Sequence, residues 1–172
     1  VAESYGREVL ELPVGFKYIA KEMLNRKVLI GGEESGGIGF GSHIPERDAL
    51  FTGLVLLEAI AEGRQPLGQR LDDLQKRFGN ICFDRIDIFL ENKEARKNLE
   101  SLLNKTPPNV VDGKSVKEIV SIDGIKLILD DRHWLMFRFS GTEPLLRIYC
   151  EAPSMDKVQK TLNWAKQFVD NQ

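Results

Sequence analysis

Residues 116–151 run VKEIVSIDGIKLILDDRHWLMFRFSGTEPLLRIYCE, and their reading decides the fold. Apolar residues alternate through 125–130 and 134–139, which is the period of a strand with one face buried. Residues 116–122 form a third run, and Asp123-Gly124 between the first two is a strong hairpin signal. A fourth run, 145–151, follows the loop Ser140–Pro144. Four such strands in sequence, joined by short turns, predict an antiparallel sheet.

Working outward, residues 83–90 read as another strand. Residues 92–104 read as an amphipathic helix capped by Asn92, with Ala95, Leu99, Leu102 and Leu103 inward. A last helix starts near Ser154 and buries Val158, Leu162, Ala165 and Val169. Residues 81–172 are therefore expected to be an α+β domain, an antiparallel sheet flanked by helices. Toward the N-terminus the pattern changes. Residues 7–13 alternate and read as a strand, 15–24 as a short helix, and 27–31 as a buried strand. A glycine-dense loop spans 31–42. A helix at about 46–62 follows, with Leu50, Leu54, Leu57 and Ala61 as its apolar stripe. This order is that of a layered α/β unit over residues 1–68. The breaker cluster Gly63–Gly68 and a linker or short polar helix at 69–80 separate the two.

Composition bounds the function. The chain has 172 residues and a formal charge of −2, so no global field draws it to nucleic acid or an anionic membrane. No run of about 18 apolar residues exists to span a bilayer. Cys82 and Cys150 lie far apart in apolar runs and read as reduced core thiols. No Cys-x-x-Cys or Cys/His cluster suggests zinc. The N-terminus resembles no signal peptide and does not begin with methionine. The chain reads as a cytoplasmic protein and as a piece of something longer.

Two loops carry chemistry. In Gly31-Gly32-Glu33-Glu34-Ser35-Gly36-Gly37-Ile38-Gly39-Phe40-Gly41, glycines permit close approach of a ligand. Two carboxylates and a hydroxyl suit the hydroxyls of a sugar. A nucleotide P-loop fits poorly, because Gly-Lys-[Ser/Thr] is absent and adjacent carboxylates repel phosphate. The plain alternative is a surface loop with solvated acids. In Arg138-Phe139-Ser140-Gly141-Thr142-Glu143-Pro144-Leu145-Leu146-Arg147, two hydroxyls and a glycine offer an anion nest. The bracketing arginines can grip phosphate oxygens in forks. Here the alternative is two strand arginines paired with Glu143 and Glu151.

Gly32-Glu33-Glu34-Ser35-Gly36 resembles the sugar-recognition loop of the α-D-phosphohexomutases, and Arg138 through Arg147 resembles their C-terminal phosphate loop. Pro13–Ile19 and Ser42–Asp48 resemble the segments that flank the sugar loop, in the same order and spacing. The resemblance implies an enzyme of four domains that moves a phosphoryl group between the 1- and 6-positions of a hexose. A phosphoserine on the first domain and Mg2+ on the second, held by an Asp-Gly-Asp loop, would act with a hexose 1,6-bisphosphate intermediate. This chain resembles the third and fourth domains only. Neither the phosphoserine loop nor the metal loop is found, and Asp72-Asp73 and Asp130-Asp131 fit neither. The third domain looks incomplete, because Val1–Gly6 resembles the end of its first helix. The expected partners are a hexose phosphate substrate and the missing N-terminal domains.

By resemblance, Glu33 and Ser35 would bond the sugar's 3- and 4-hydroxyls, with Glu34 beside them. Arg138, Ser140, Gly141, Thr142 and Arg147 would hold phosphate. Lys17 matches a lysine near the substrate, with a role in proton transfer or phosphate pairing; the alternative is a solvated helix lysine. For His43 an active-site role is one reading and a loop or helix-entry residue the other, and the second is preferred. Glu34 and Gly37 stand where broader-specificity members have Met and His, so the chain looks more like glucose-using members, with mannose left open. Glucosamine-specific members share the Ser-Gly-Thr-Glu-Pro loop, which therefore does not choose the sugar. The competing reading is a free-standing phosphosugar-binding or regulatory module without chemistry.

Overall fold

The computed structural model describes every residue except Thr142. The chain divides into two compact units, Val1–Phe78 and Gly79–Gln172. The first extends through Phe78 and so takes in most of the segment read as a linker or short helix at 69–80.

In the first unit, α1 (Phe16–Asn25) precedes two short strands, β1 (Ile30–Gly32) and β2 (Ile38–Phe40). These pair antiparallel, Gly31 opposite Gly39. Two helices follow, α2 (Ala49–Gly63) and α3 (Leu67–Phe78). Asp48 caps α2, its carboxylate accepting from the Phe51 N–H at 2.9 Å. Three expectations fail here. Residues 7–13 form no strand: alternation marks a candidate, but a strand exists only where a neighbour completes its ladder. The strand expected at 27–31 is shifted to Ile30–Gly32 and is not buried, with Leu29 66% and Ile30 53% exposed. The stripe on α2 faces solvent, with Leu50 84% and Leu54 65% exposed. The periodicity located residues that share a face but not which face is covered. Phe16 is the buried apolar side chain of this unit. It packs against the hairpin at Gly39, where an added Cβ would stand 2.7 Å from its ring.

The second unit is a five-stranded sheet in the order β3-β9-β8-β7-β6. Its strands are β3 (Cys82–Phe89), β6 (Glu118–Val120), β7 (Ile125–Asp130), β8 (His133–Phe139) and β9 (Leu145–Ala152), with all neighbours antiparallel. Alternation is read directly in burial: Ile125, Leu127 and Leu129, then Leu135 and Phe137, then Leu146, Ile148 and Cys150 all point into one core. Helices α4 (Lys93–Lys105) and α5 (Met155–Asp170) close that face with Leu99, Leu103, Val158, Leu162 and Ala165. Asn92 and Ser154 cap them by accepting backbone N–H bonds. Trp164 of α5 stacks on Phe168 at 5.5 Å. The opposite sheet face carries Trp134, whose indole N–H donates to Glu151 at 3.2 Å. A small hairpin, β4 (Val110–Val111) with β5 (Lys114–Ser115), is an addition to the expected elements. Its signal is in the sequence: Asp112 and Gly113 both take positive φ, 45° and 76°, the turn that Asp-Gly favours.

A polar pair, His133 and Thr161, is buried in this core, with Lys114 and Asp130 partly exposed at its edge. His133 is 2% exposed. Its Nδ1 lies 3.2 Å from the Lys114 ammonium, a pure donor, so Nδ1 accepts and the Nε2–H donates to Thr161 Oγ1 at 2.9 Å. Lys114 also pairs with Asp130 at 3.1 Å. Burial, then Lys114, holds the imidazole below its ordinary value. Burial pushes the Cys150 thiol up to about 12. Both cysteines are free.

Candidate functional site

The two chemistry-bearing loops fall in different units. The glycine-rich loop is a hairpin tip. Glu33 N–H donates to the Gly37 carbonyl at 2.9 Å and Gly36 N–H to the Glu33 carbonyl at 3.0 Å, closing the turn between β1 and β2. Glu34 and Ser35 are exposed at the tip, while the Glu33 side chain is 14% exposed. Glu33 Oε2 accepts from Arg47 Nη1 at 3.1 Å. Sequence reasoning missed Arg47, which is 14 residues away with no local pattern to link the two. An added Cβ at Gly37 would sit 3.2 Å from both the Arg47 Cδ and the Glu33 carboxylate, so this pair fills the space beside Gly37. Lys17 is exposed on the first turn of α1, its ammonium 4.9 Å from the Tyr18 ring centre. His43 stacks on Phe51 at 4.3 Å and shares a hydrogen bond with Asp48 at 3.0 Å. The Phe51 N–H and His43 hold the Asp48 carboxyl below its ordinary value. His43 thus braces the entry to α2.

The second loop joins β8 to β9. Arg138 and Arg147 are direct cross-strand partners, and Arg147 faces Asp87 of β3 on its other side. All three lie on the sheet face away from the helices, because the alternate positions feed the core. Two like charges directly opposite each other are unfavourable unless something compensates. Part of the compensation is Asp123, in the turn ahead of β7, which accepts from Arg138 Nε at 3.1 Å. The remaining guanidinium donors are on the Nη atoms. Arg147 Nε is buried and makes no hydrogen bond among the described residues, a costly state for a charged donor. Glu151, weighed as an arginine partner, instead takes the Trp134 indole. Glu143 is exposed.

Ser140 is 6% exposed, and its backbone N–H closes the loop on the Leu145 carbonyl at 2.8 Å. Its hydroxyl accepts from the Glu143 N–H at 3.3 Å. That N–H is therefore committed inside the loop and is not one of the donors of an open nest. Gly141 is exposed, has no positive φ, and an added Cβ would touch nothing within 4 Å. The turn itself does not demand glycine there. Thr142, the remaining candidate, lies outside the described residues. Among the described residues no three His, Cys, Asp or Glu side chains gather to hold a metal, and no helix is long and apolar enough to cross a membrane.

Comparison with known proteins follows this division. The model of phosphoglucomutase/phosphomannomutase α/β/α domain III matches residues 1–78. That of the phosphoglucomutase/phosphomannomutase C-terminal domain matches residues 68–163. A protein of Thermococcus kodakarensis named phosphoglucomutase/phosphomannomutase is 30% identical over 94% of this chain and 33% of its own length. A phosphoglucosamine mutase of Limosilactobacillus fermentum is 33% identical over 91% of this chain and 30% of its own length. A crystal structure from Thermus thermophilus, assigned as a phosphomannomutase, superposes with a TM-score of 0.77 at 32% identity, covering 98% of this chain and 33% of that one. The chain thus spans about a third of the length of these relatives. Two consecutive family domains over nearly all its residues, in the same order and on the same fold, make this chain a member of the phosphoglucomutase/phosphomannomutase family.

Proposed function

We propose that this chain supplies the sugar- and phosphate-recognition part of a phosphohexomutase that interconverts hexose 1-phosphate and hexose 6-phosphate. The observation that carries the reading is the pair Arg138 and Arg147, facing each other across β8 and β9 with the Arg147 Nε buried and unbonded among the described residues. A phosphate dianion neutralises the facing cations and offers acceptors to the guanidinium donors. Ser140 Oγ lies at the root of the same loop, with Gly141 and Thr142 beyond it. The hairpin tip would take the sugar, with Glu33, Ser35 and Glu34 accepting from its hydroxyls. The Arg47 pair engages one Glu33 oxygen and leaves the other to accept. Lys17 would pair with phosphate or pass a proton.

In the full-length enzyme a phosphoserine would donate its phosphoryl group to a free sugar hydroxyl. The resulting hexose 1,6-bisphosphate would reorient and return its other phosphoryl group to the serine. In this reading that serine and its Mg2+ would belong to domains outside this chain. The names of the relatives include phosphoglucomutase, phosphomannomutase and phosphoglucosamine mutase, which supports the reaction class and leaves the hexose to Glu34, Gly37 and their neighbours.

The test is a titration of inorganic phosphate and glucose 6-phosphate followed by NMR, comparing the parent chain with Arg147→Ala and Glu33→Ala. Arg147→Ala is expected to weaken both ligands by about tenfold or more, since charge-assisted bonds contribute roughly 1.5–3 kcal/mol each. Glu33→Ala should weaken glucose 6-phosphate while leaving inorganic phosphate nearly unchanged. Equal phosphate binding by the parent and Arg147→Ala overturns the reading. So does turnover of glucose 1-phosphate by the chain alone, with Mg2+ and the 1,6-bisphosphate present, because no phosphoryl carrier is assigned to it.

A further inference from the structure

We infer that Arg96, in the first half of α4, is a positioning residue for the 140–144 loop; the inference rests on that loop being the phosphate site. Arg96 Nη1 donates to the Glu143 carbonyl at 3.2 Å. Its guanidinium lies 5.9 Å from the centre of the Phe139 ring, which ends β8 immediately before Ser140. The side chain is 23% exposed, and its other neighbour, Glu100, is distant at 3.8 Å. The helix therefore reaches across to the far limb of the loop and holds a main-chain oxygen there.

The contacts that fix this loop fall at its ends and within it. The two ends are set by sheet pairing: Ser140 N–H donates to the Leu145 carbonyl where β8 ends, and Leu90 N–H donates to the Pro144 carbonyl at 2.8 Å just before β9. The 143–144 peptide ends in Pro144, which has no N–H, so its carbonyl is the handle by which that peptide plane is held. Arg96 takes that carbonyl. The preceding group, the Glu143 N–H, is the one bonded to Ser140 Oγ. A shift of the Glu143 peptide would break that hydrogen bond to the Ser140 hydroxyl. The chain of consequence runs from Arg96 through Glu143 to Ser140, and from there to the space beside Arg138 and Arg147. The face over the Phe139 ring suits a cation, which explains why a charged donor can be half-sequestered there. No feature of the loop's own sequence reveals Arg96, which enters from another element 47 residues away.

The test uses Arg96→Met, which keeps the stem and removes the donors, and Arg96→Lys, which restores a donor. Arg147→Ala is the control. Arg96→Met should weaken inorganic phosphate and glucose 6-phosphate by the same factor, roughly three- to tenfold, the effect of one lost hydrogen bond. Arg96→Lys should recover part of it. Hydrogen exchange at the Glu143 amide should accelerate in Arg96→Met while amides of β8 and β9 stay protected. A melting temperature near the parent's separates this from unfolding. If Arg147→Ala weakens phosphate and Arg96→Met does not, the positioning role is wrong and the loop reading stands. If neither variant weakens phosphate, the loop reading itself fails. Faster exchange throughout β8 and β9 in Arg96→Met would reduce Arg96 to a general structural residue and would also overturn the inference.

Discussion

The two units solve the same problem unequally. The second builds its loop on a five-stranded sheet with helices over one face. Every buried apolar side chain among the described residues, apart from Phe16, lies in it. The first builds its hairpin from two three-residue strands and one packed phenylalanine, and leaves the leucines of α2 in solvent. A two-stranded hairpin is marginal by itself. The difference teaches that the loop proposed for phosphate and the hairpin proposed for sugar rest on supports of different stiffness. The arginines are placed by ladder register, a property of the whole sheet. Glu33 is placed by a turn and one ion pair with Arg47, itself 58% exposed.

The comparison is tested hardest by core truncation. Phe137, fully buried at the centre of the second unit, should cost about 3–5 kcal/mol as Phe137→Ala in urea denaturation, because a cavity adds to the lost burial. A loss below about 1 kcal/mol would mean that the second unit is no better packed than the first. A smaller effect sharpens the picture through pH. Burial and Lys114 hold the folded His133 below its ordinary 6.5, with Asp130, Asp112 and Lys157 as the other charges acting on it. The unfolded chain then binds the proton first as pH falls. The stabilising contribution is complete above 6.5 and declines below it until the folded histidine titrates. The urea midpoint should drop between about pH 7.5 and 5.5, and His133→Gln should flatten that slope. An unchanged slope would remove His133 from the account. The smallest effect belongs to α2: Leu54→Ala, at a side chain 65% exposed, should shift stability by less than about 0.5 kcal/mol. A core-sized loss there would show that the leucine stripe is covered in solution.

What was legible in the sequence follows the same line. Strands β7, β8 and β9 were readable because a buried face imposes a strict period of two. Helices α4 and α5 were readable from their caps and stripes. On α2 the stripe was visible but its side was not, since periodicity is blind to whether a neighbour exists. Residues 7–13 failed for the same reason. Within the site, both arginines and Ser140 stood in one motif. The partners that set their charge and shape did not, because Asp123 and Arg96 come from other elements, as Arg47 does for Glu33. Asp123 was within reach: Ile125 opposite Phe137 brings the preceding turn beside Arg138, so writing out the hairpin register would have exposed it.

The placement of the tryptophans has an optical consequence. The chain has two, Trp134 bonded to Glu151 and Trp164 stacked on Phe168, and both belong to the second unit. Indole emission is therefore a private channel for the second unit, silent about the hairpin unit. Backbone circular dichroism, by contrast, collects α1, α2 and α3 together with the rest. Heating curves recorded in the two channels would coincide if the units melt as one and would separate if they do not, and the interval between them would measure their independence without a single substitution.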